Sequence, residues 1–562
     1  LIAYALMDRA RTISATFEPL RMTIKSDPAG LTLDVDGAGA VTPSTFQWTD
    51  HSTRLVSAPD IIGSSRYEPV LAFDGWSDLR PRTHALLVTR DTFMTDLTAK
   101  YLTTVRGVMV PPGGARRLTT PGVEDAPKIA ALHMTGDGGA ELPALLQFVR
   151  GTVRGTTTQE VALVPSAPRT WTNVFVRQNS DGAEGRIRMA LFNPSGADAT
   201  VGLLLRAADG AVQAAKDQAL TIPAGAHVTA WLDELMPLPT SFASLLTLIS
   251  SEAIVTQTYS VRGNWRTDYV LDPILLAPFA PGDYGVSGDD RVQVVIREPD
   301  TTHRLVLINP GFSALSGTVT FHDASGVAVP LDLPSGNATS SSYSLPPGGS
   351  LDLSFTTPAS ATPGETVQVR VAPSAGQPAP TVQLTNEHRA GSVNGTDTII
   401  PSAVPPSALT RTFRIPVDRT RRETALILTN TSSFTVTVTA RLRDLDGAAV
   451  ATAPLTVAPQ SQVAVDAATM SAAAGFIGQL TVDTDIPVHG VGYLSFTNER
   501  GQFVMAGFPA VTDESPEPYA ALAIDGDSWR SEWWFLNRGA AELRSLLDFR
   551  GYQSASVYFA VQ

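Results

Sequence analysis

Three stretches of the chain follow one template: an apolar strand ending in Asn, with a tight Gly turn 17 residues further on. They read RIRMALFNP (186–194) before Asp209-Gly210, HRLVLINP (303–310) before Ser325-Gly326, and ETALILTN (423–430) before Asp446-Gly447. A fourth copy starts at SEWWFLN (531–537), and the sequence ends inside it. The anchors Asn193, Asn309, Asn430 and Asn537 are separated by 116, 121 and 107 residues. A repeat of that length is one β-sandwich per copy, too long for a small solenoid unit. The constant offset fixes two strands and a connection of constant length, hence one shared topology. An Asn at the end of an apolar run can accept a hydrogen bond from the backbone two residues on. Pro194 and Pro310 then prevent the strand from continuing.

Length and composition agree with this. A chain of 562 residues exceeds one core and predicts about four domains. Gly (44) and Pro (41) are frequent and scattered, as short strands joined by turns require. The net charge of −13 argues against a general nucleic-acid footprint. Cys is absent, which excludes disulfides, thiol nucleophiles and thiolate-ligated metal. No run reaches 18 apolar residues, so no membrane-spanning helix is predicted.

The predicted organisation is a tail of a preceding repeat at 1–18 and a separate β-rich module at 19–106. Sandwiches follow at 107–282, 283–408 and 409–515, and a truncated one at 516–562. VPPGGARR (110–117) reads as a linker, and the hairpin around Gly151–Gly155 is assigned to the sandwich that follows it. The expected architecture is all-β: tandem sandwiches in an elongated array, stiffened by Pro-containing linkers such as TDESPEP (512–518).

Two resemblances accompany this reading. Val35-Asp36-Gly37, Thr42-Pro43, Phe46, Trp48, Phe73, Gly75-Trp76-Ser77-Asp78 and Ala99 resemble a repeat of large bacterial surface and secreted proteins, over roughly 90 residues. The chain departs from that pattern at Leu79-Arg80, where a Gly-Gly-like turn is usual. LFNP with DG, LINP with SG and ILTN with DG resemble tandem Ig-like repeats of bacterial exported proteins. The resemblance implies fold and an extracellular or cell-surface location, and brings no catalytic residues.

No HExxH, phosphate-binding loop, dinucleotide fingerprint or nucleophile elbow occurs. The chain is therefore expected not to be an enzyme. Candidate sites are sparse. Carboxylates at i and i+2 in turns could chelate calcium: Asp444 with Asp446, and Asp525 with Asp527. Trp533 and Trp534 are adjacent in a strand, so one is expected inside and one exposed. Trp265, between two arginines in a hairpin, is the other aromatic that could stack on a glycan or a protein partner. The leading expectation is a structural or adhesive surface protein acting as spacer or assembly component. The alternatives are a glycan- or protein-binding stalk of a larger secreted enzyme, and a subunit of a surface layer, sheath or filament.

Overall fold

The computed structural model describes residues 19–561 except 66, 68, 91–94, 105, 121–127, 140, 154–155, 164–166, 179–184, 263–269, 275, 278–290, 359–361, 363, 394–395, 406, 471–474, 512–518, 527–528 and 552–559. The expected repeat tail at 1–18 and the linker at 512–518 lie outside the described residues. The protein is all-β, and the chain divides into two compact units at Arg106/Gly107.

The first unit is a two-sheet sandwich. One sheet has the order Ser44–Trp48, Leu20–Asp27, Asp96–Thr104, Val70–Trp76, Ile61–Ile62; the other runs Ala38–Val41, Thr32–Val35, Ser52–Ser57, Thr83–Val88. Alternating apolar residues close between them: Met22, Ile24, Leu33, Trp48, Val56, Trp76, Leu97 and Tyr101 are all buried. Asp36 and Gly37 both have positive φ (53° and 81°), so this two-residue connection between Thr32–Val35 and Ala38–Val41 has the backbone that a right-twisted hairpin prefers.

In the second unit every copy repeats one strand plan. Copy one has an opening strand Arg169–Gln178, an anchor strand Arg186–Phe192, a third strand Ala199–Arg206 and an edge strand Val212–Ile222. After a Pro corner come a short strand His227–Trp231, a long strand Phe242–Arg262 and a closing strand Val270–Ile274. The first half of the long strand pairs with the opening and third strands; its second half crosses to pair with the anchor and closing strands. Copies two and three repeat this from Arg291 and Ala408, with the long strand split in copy two into Glu365–Pro373 and Thr381–Val393.

The fourth copy corrects the predicted boundaries. Its opening, anchor and third strands are Tyr519–Asp525, Trp529–Leu536 and Leu543–Gly551. Its remaining strands come from the start of the unit. Gly107–Val110 is the edge strand against Leu543–Gly551, Ala115–Thr119 pairs with the anchor strand, and Lys128–Gly136, Ala144–Val153 and Thr156–Leu163 supply the rest. Residues 107–163 thus do not belong to the sandwich that follows them, and VPPGGARR is no linker. The physical reason is backbone pairing: Gly107–Val110, Ala115–Thr119, Lys128–Gly136 and Ala144–Val153 each hydrogen-bond to a C-terminal strand, and Thr156–Leu163 follows by pairing with Ala144–Val153.

The anchors show the equivalence atom by atom. All four Asn side chains are fully buried. Each Nδ2 donates to the carbonyl four residues on and to two carbonyls of the Pro corner: Ile222 and Pro223, Leu345 and Pro346, Val457 and Ala458, and Val110 and Pro111. Each Oδ1 accepts from the backbone N–H two residues on, at 2.8–3.0 Å. Asn537 does this across more than 400 residues of sequence.

The copies are not strung in an array. The Gly turn of each of the first three copies rests on the Pro corner of the next. Ala208 O accepts from Ser350 N (2.9 Å), Ala324 O from Gln462 N (2.7 Å) and Leu445 O from Ala115 N (2.9 Å). A Cβ on Gly447 would meet Pro112 O at 2.1 Å, and Gly210 and Gly326 are equally blocked by the following corner. The 17-residue offset therefore spaces the joint between copies as well as a turn. Apolar clusters run across the junctions: Phe175 and Leu245 with Val306 and Ile308, Tyr493 and Met505 with the core of copy two, and Trp534 and Leu536 with the core of copy three. Copy four returns to copy one through Tyr259 and Val261 against Leu522 and Ile524, and Phe192 against Ala521. The closing strands of copies one to four adjoin one another in an unbroken cycle. The tandem order predicted from sequence is thus folded into a closed succession.

Candidate functional site: the seam between copies three and four

The densest polar feature among the described residues lies where the two ends of the second unit meet copy three. The anchor strand of copy four is covered on both faces. Trp533 and Phe535 face its own core, with Trp533 edge-to-face on Phe549 at 5.5 Å; Glu532, Trp534 and Leu536 face copy three. Phe148, Arg150 and Glu160 project the same way from the N-terminal hairpin, and Arg117 from Ala115–Thr119. Copy three contributes the loop Asp418–Arg422.

Arg422, whose side chain is 2% exposed, is the centre. One Nη reaches Glu160 and the other donates to Glu532 Oε1 at 2.5 Å, while the guanidinium lies 4.7 Å over the Phe148 ring. Glu532 also accepts from Trp534 Nε1 at 2.6 Å, and Glu160 from Arg150 at 3.2 Å. Beside it Arg117 donates to Asp418 at 2.5 Å, and Arg421 stands 3.8 Å from both Asp418 and Glu532. Burial alone would raise the Glu532 carboxyl. Arg422 first, then Arg117 and the Trp534 bond, overcome that and hold it down at about 2. Burial and the crowd of like charges lower Arg422 and Arg421. Glu532 therefore stays ionised at neutral pH and holds no proton for acid catalysis. The arrangement is an electrostatic lock joining three separate stretches of chain. A cleft of ≈ 260 Å³ opens beside it, lined by Arg150, Thr157, Glu160, Arg421, Phe496, Asn498 and Glu499.

The fourth-to-first junction has its own polar element. His227 Nε2 donates to Ala521 O at 2.8 Å, and its Nδ1 meets no hydrogen-bond partner among the described residues. Burial lowers this imidazole to about 4. His303, enclosed between Asn386 and Thr357, is lowered by burial to about 4 as well. Free imidazole titrates near 6.5. The unfolded chain therefore binds these two protons first, so stability is complete above about pH 6.5 and falls as pH drops towards 4. At pH 5 each histidine should cost on the order of 2 kcal/mol relative to pH 7.5. A falling urea midpoint across this window, and imidazole NMR titrations with midpoints below 5, are the expected results.

The residues singled out in the sequence fall elsewhere. Trp533 and Trp534 are both 0% exposed, so neither is an open stacking platform; a strand covered on both faces buries both parities. Trp265 and Asp527 lie outside the described residues, as does the side chain of Asp525. Asp444 Oδ1 is taken by the backbone N–H groups of Asp446 and Ala448, and Asp446 pairs with Arg116 at 3.2 Å across the junction. Both carboxylates thus serve the turn and its joint. Among the described residues no group of three or more His, Cys, Asp or Glu is placed to hold a metal ion, and no helix is long and apolar enough to cross a membrane. The network itself escaped the sequence reading. Its one local signal was Glu532, a lone acid inside the apolar run SEWWFL.

No protein-family description matches the chain, and no curated protein is similar to it in sequence. Solved structures give weak likenesses. A chain of infectious bursal virus-derived T=1 particles is 10% identical with a TM-score of 0.10, over 71% of this chain and 84% of that one. The Streptomyces avermitilis α-L-rhamnosidase is 10% identical with a TM-score of 0.12, over 96% of this chain and 55% of the enzyme.

Proposed function

We propose that the protein is a non-enzymatic, extracellular structural or adhesive protein whose second unit is a closed display body. The observation that carries this is the composite fourth copy. Gly107 pairs with Leu546 and Val110 with Leu543, so the strand that enters the unit lies antiparallel beside a strand from its far end. Tension applied to such a pair separates its hydrogen bonds one after another, which suits an in-line spacer poorly. A body with fixed faces suits adhesion and assembly. Assembly has a specific support of its own: the edge strand Ala449–Val457 carries no charge, and its Val450 is 54% exposed. Pro454 blocks pairing at its own position, so a neighbouring strand could add only along the Ala449–Ala453 side, where Val450 lies. The edge strand of copy one is guarded instead by Lys216, Asp217 and a left-handed Gln218.

The test is a polysaccharide and matrix-protein array probed with the full chain, run beside chromogenic glycoside and peptide substrates and sedimentation velocity over a concentration series. Retention on the array or concentration-dependent association, without turnover, is expected. Turnover, or a concentration-independent monomer retained nowhere, overturns the reading.

A further inference from the structure

The Asn anchors, Gly turns and Pro corners recur because the fold needs them. Residues that differ at matched positions are free of that demand. One cross-strand row makes the comparison directly. In copy three it is Arg414–Thr481–Arg441, across the opening, long and third strands. The matched rows are Asn173–Thr247–Leu204 in copy one, Val292–Arg370–Thr320 in copy two and Tyr519–His133–Asp548 in copy four. Copy three alone has two arginines flanking a hydroxyl.

That row forms the floor of a cleft of ≈ 410 Å³. Its wall is built by copy four from both ends of the unit: the corner Pro112-Gly113 and the anchor loop Arg538-Gly539-Ala540. Arg414 Nη2 donates to Arg538 O at 3.3 Å, which ties floor to wall. Arg443 also lines the cleft but has a structural duty, donating to Gly447 O at 2.8 Å as Arg206 does to Gly210 in copy one. Arg414, Arg441, Arg443 and Arg538 thus surround a space lined by one acid, Asp483, in a chain whose net charge is −13. Asp483 already sits on the Arg441 guanidinium, an internal carboxylate showing that the position takes an oxyanion.

We propose that this cleft binds an acidic glycan, through carboxylate or sulfate groups held by Arg414 and Arg441. Guanidinium is the cation whose planar fork fits such groups. The two arginines stand two strand spacings apart, about 10 Å, which matches two oxyanions of a polymer better than one small ion. The lining holds no aromatic ring on which a nucleic-acid base could stack, so charge-to-charge contact with a glycan fits it better than single-stranded nucleic acid does. The proposal deepens the adhesive reading and rests on it.

The experiment measures binding of the full chain to low-mass dextran sulfate, polygalacturonate and neutral dextran by calorimetry at two salt concentrations. The acidic polymers should bind and weaken with salt, neutral dextran should not bind, and the stronger acidic arm identifies sulfate or carboxylate. Arg414→Gln/Arg441→Gln should weaken binding at least tenfold. Arg441→Gln alone, at a half-buried position, covers the case in which the double variant misfolds. Arg544→Gln, on an exposed arginine of copy four, should change nothing. Asp483→Asn should tighten binding severalfold by releasing Arg441. Acidic-polymer binding that survives the arginine variants, or weakens in Asp483→Asn, overturns the site and leaves the adhesive reading standing. Retention on the polysaccharide array without binding to either acidic polymer does the same. Absence of any glycan or protein binding overturns both.

Discussion

A chain ending at residue 515 is expected to lose the cooperative unfolding of the whole second unit, including residues 107–163 that it retains. Independent sandwiches would behave differently: three folded copies would survive and only the fourth would be lost. The structure argues against that outcome because the removed strands complete sheets begun by residues 107–153 and also cover the cores of copies three and one. Trp533, Trp534, Phe535 and Leu536 are wholly buried. At ~1.5–3 kcal/mol per large apolar side chain, those four alone contribute on the order of 10 kcal/mol. Domains have about 5–15 kcal/mol in total. Asn537 would leave behind the buried carbonyls of Val110 and Pro111, adding to the loss. Circular dichroism melts and limited proteolysis should show early cleavage in 107–163. A peptide of residues 516–562, supplied in trans, should restore protection. A truncated protein that melts with three-quarters of the original amplitude at an unchanged temperature would refute the closure.

The second large effect is expected from Arg422→Met. Met matches much of the volume but leaves Glu160 and Glu532 facing each other's surroundings without their shared cation. Breaking a buried ion pair by removing one partner costs about 3–5 kcal/mol. The pH dependence should identify the cause. In the wild-type protein the depressed Glu532 contributes stability that is present above about pH 4.5 and lost as pH falls towards 2. Without Arg422, burial dominates and raises that carboxyl, so the folded variant takes up a proton more readily than the unfolded chain. Its deficit should then shrink between pH 7 and pH 4.5. Adding Glu160→Gln and Glu532→Gln to Arg422→Met should recover most of the loss, as neutral replacement of buried ionic groups often does. A deficit in urea midpoint that is constant with pH and unrelieved in the triple variant would mean that packing, not charge, sets the cost.

The two effects show what the sequence made legible. The anchor Asn residues were readable because their job is local: a strand end, a turn two residues on and a Pro corner follow in order. The identity of copy four was not, because Asn537 serves a corner laid down at Val110–Gly114. The match of VPPGG (110–114) to LPPGG (345–349) was the available clue; adjacency in sequence concealed it. The Trp pair misled for a related reason. Alternation assigns one face to a core and the other to solvent, and here a neighbouring copy takes solvent's place. The seam's charges were invisible because Arg117, Glu160, Asp418, Arg422 and Glu532 converge only after closure. The arginine cleft is likewise absent until both ends meet.

The composite copy also sets a schedule for synthesis. About 350 residues separate Leu163 from Tyr519. At ~5–20 residues per second, the first hairpins of the second unit wait roughly 20–70 s for their partners to leave the ribosome. During that interval Phe148, Leu146 and the open edge of Ala144–Val153 have nothing of their own to cover them. The nascent chain must therefore carry a sticky, half-made sheet past three copies that are ready to fold, and maturation is complete only when its last strands arrive.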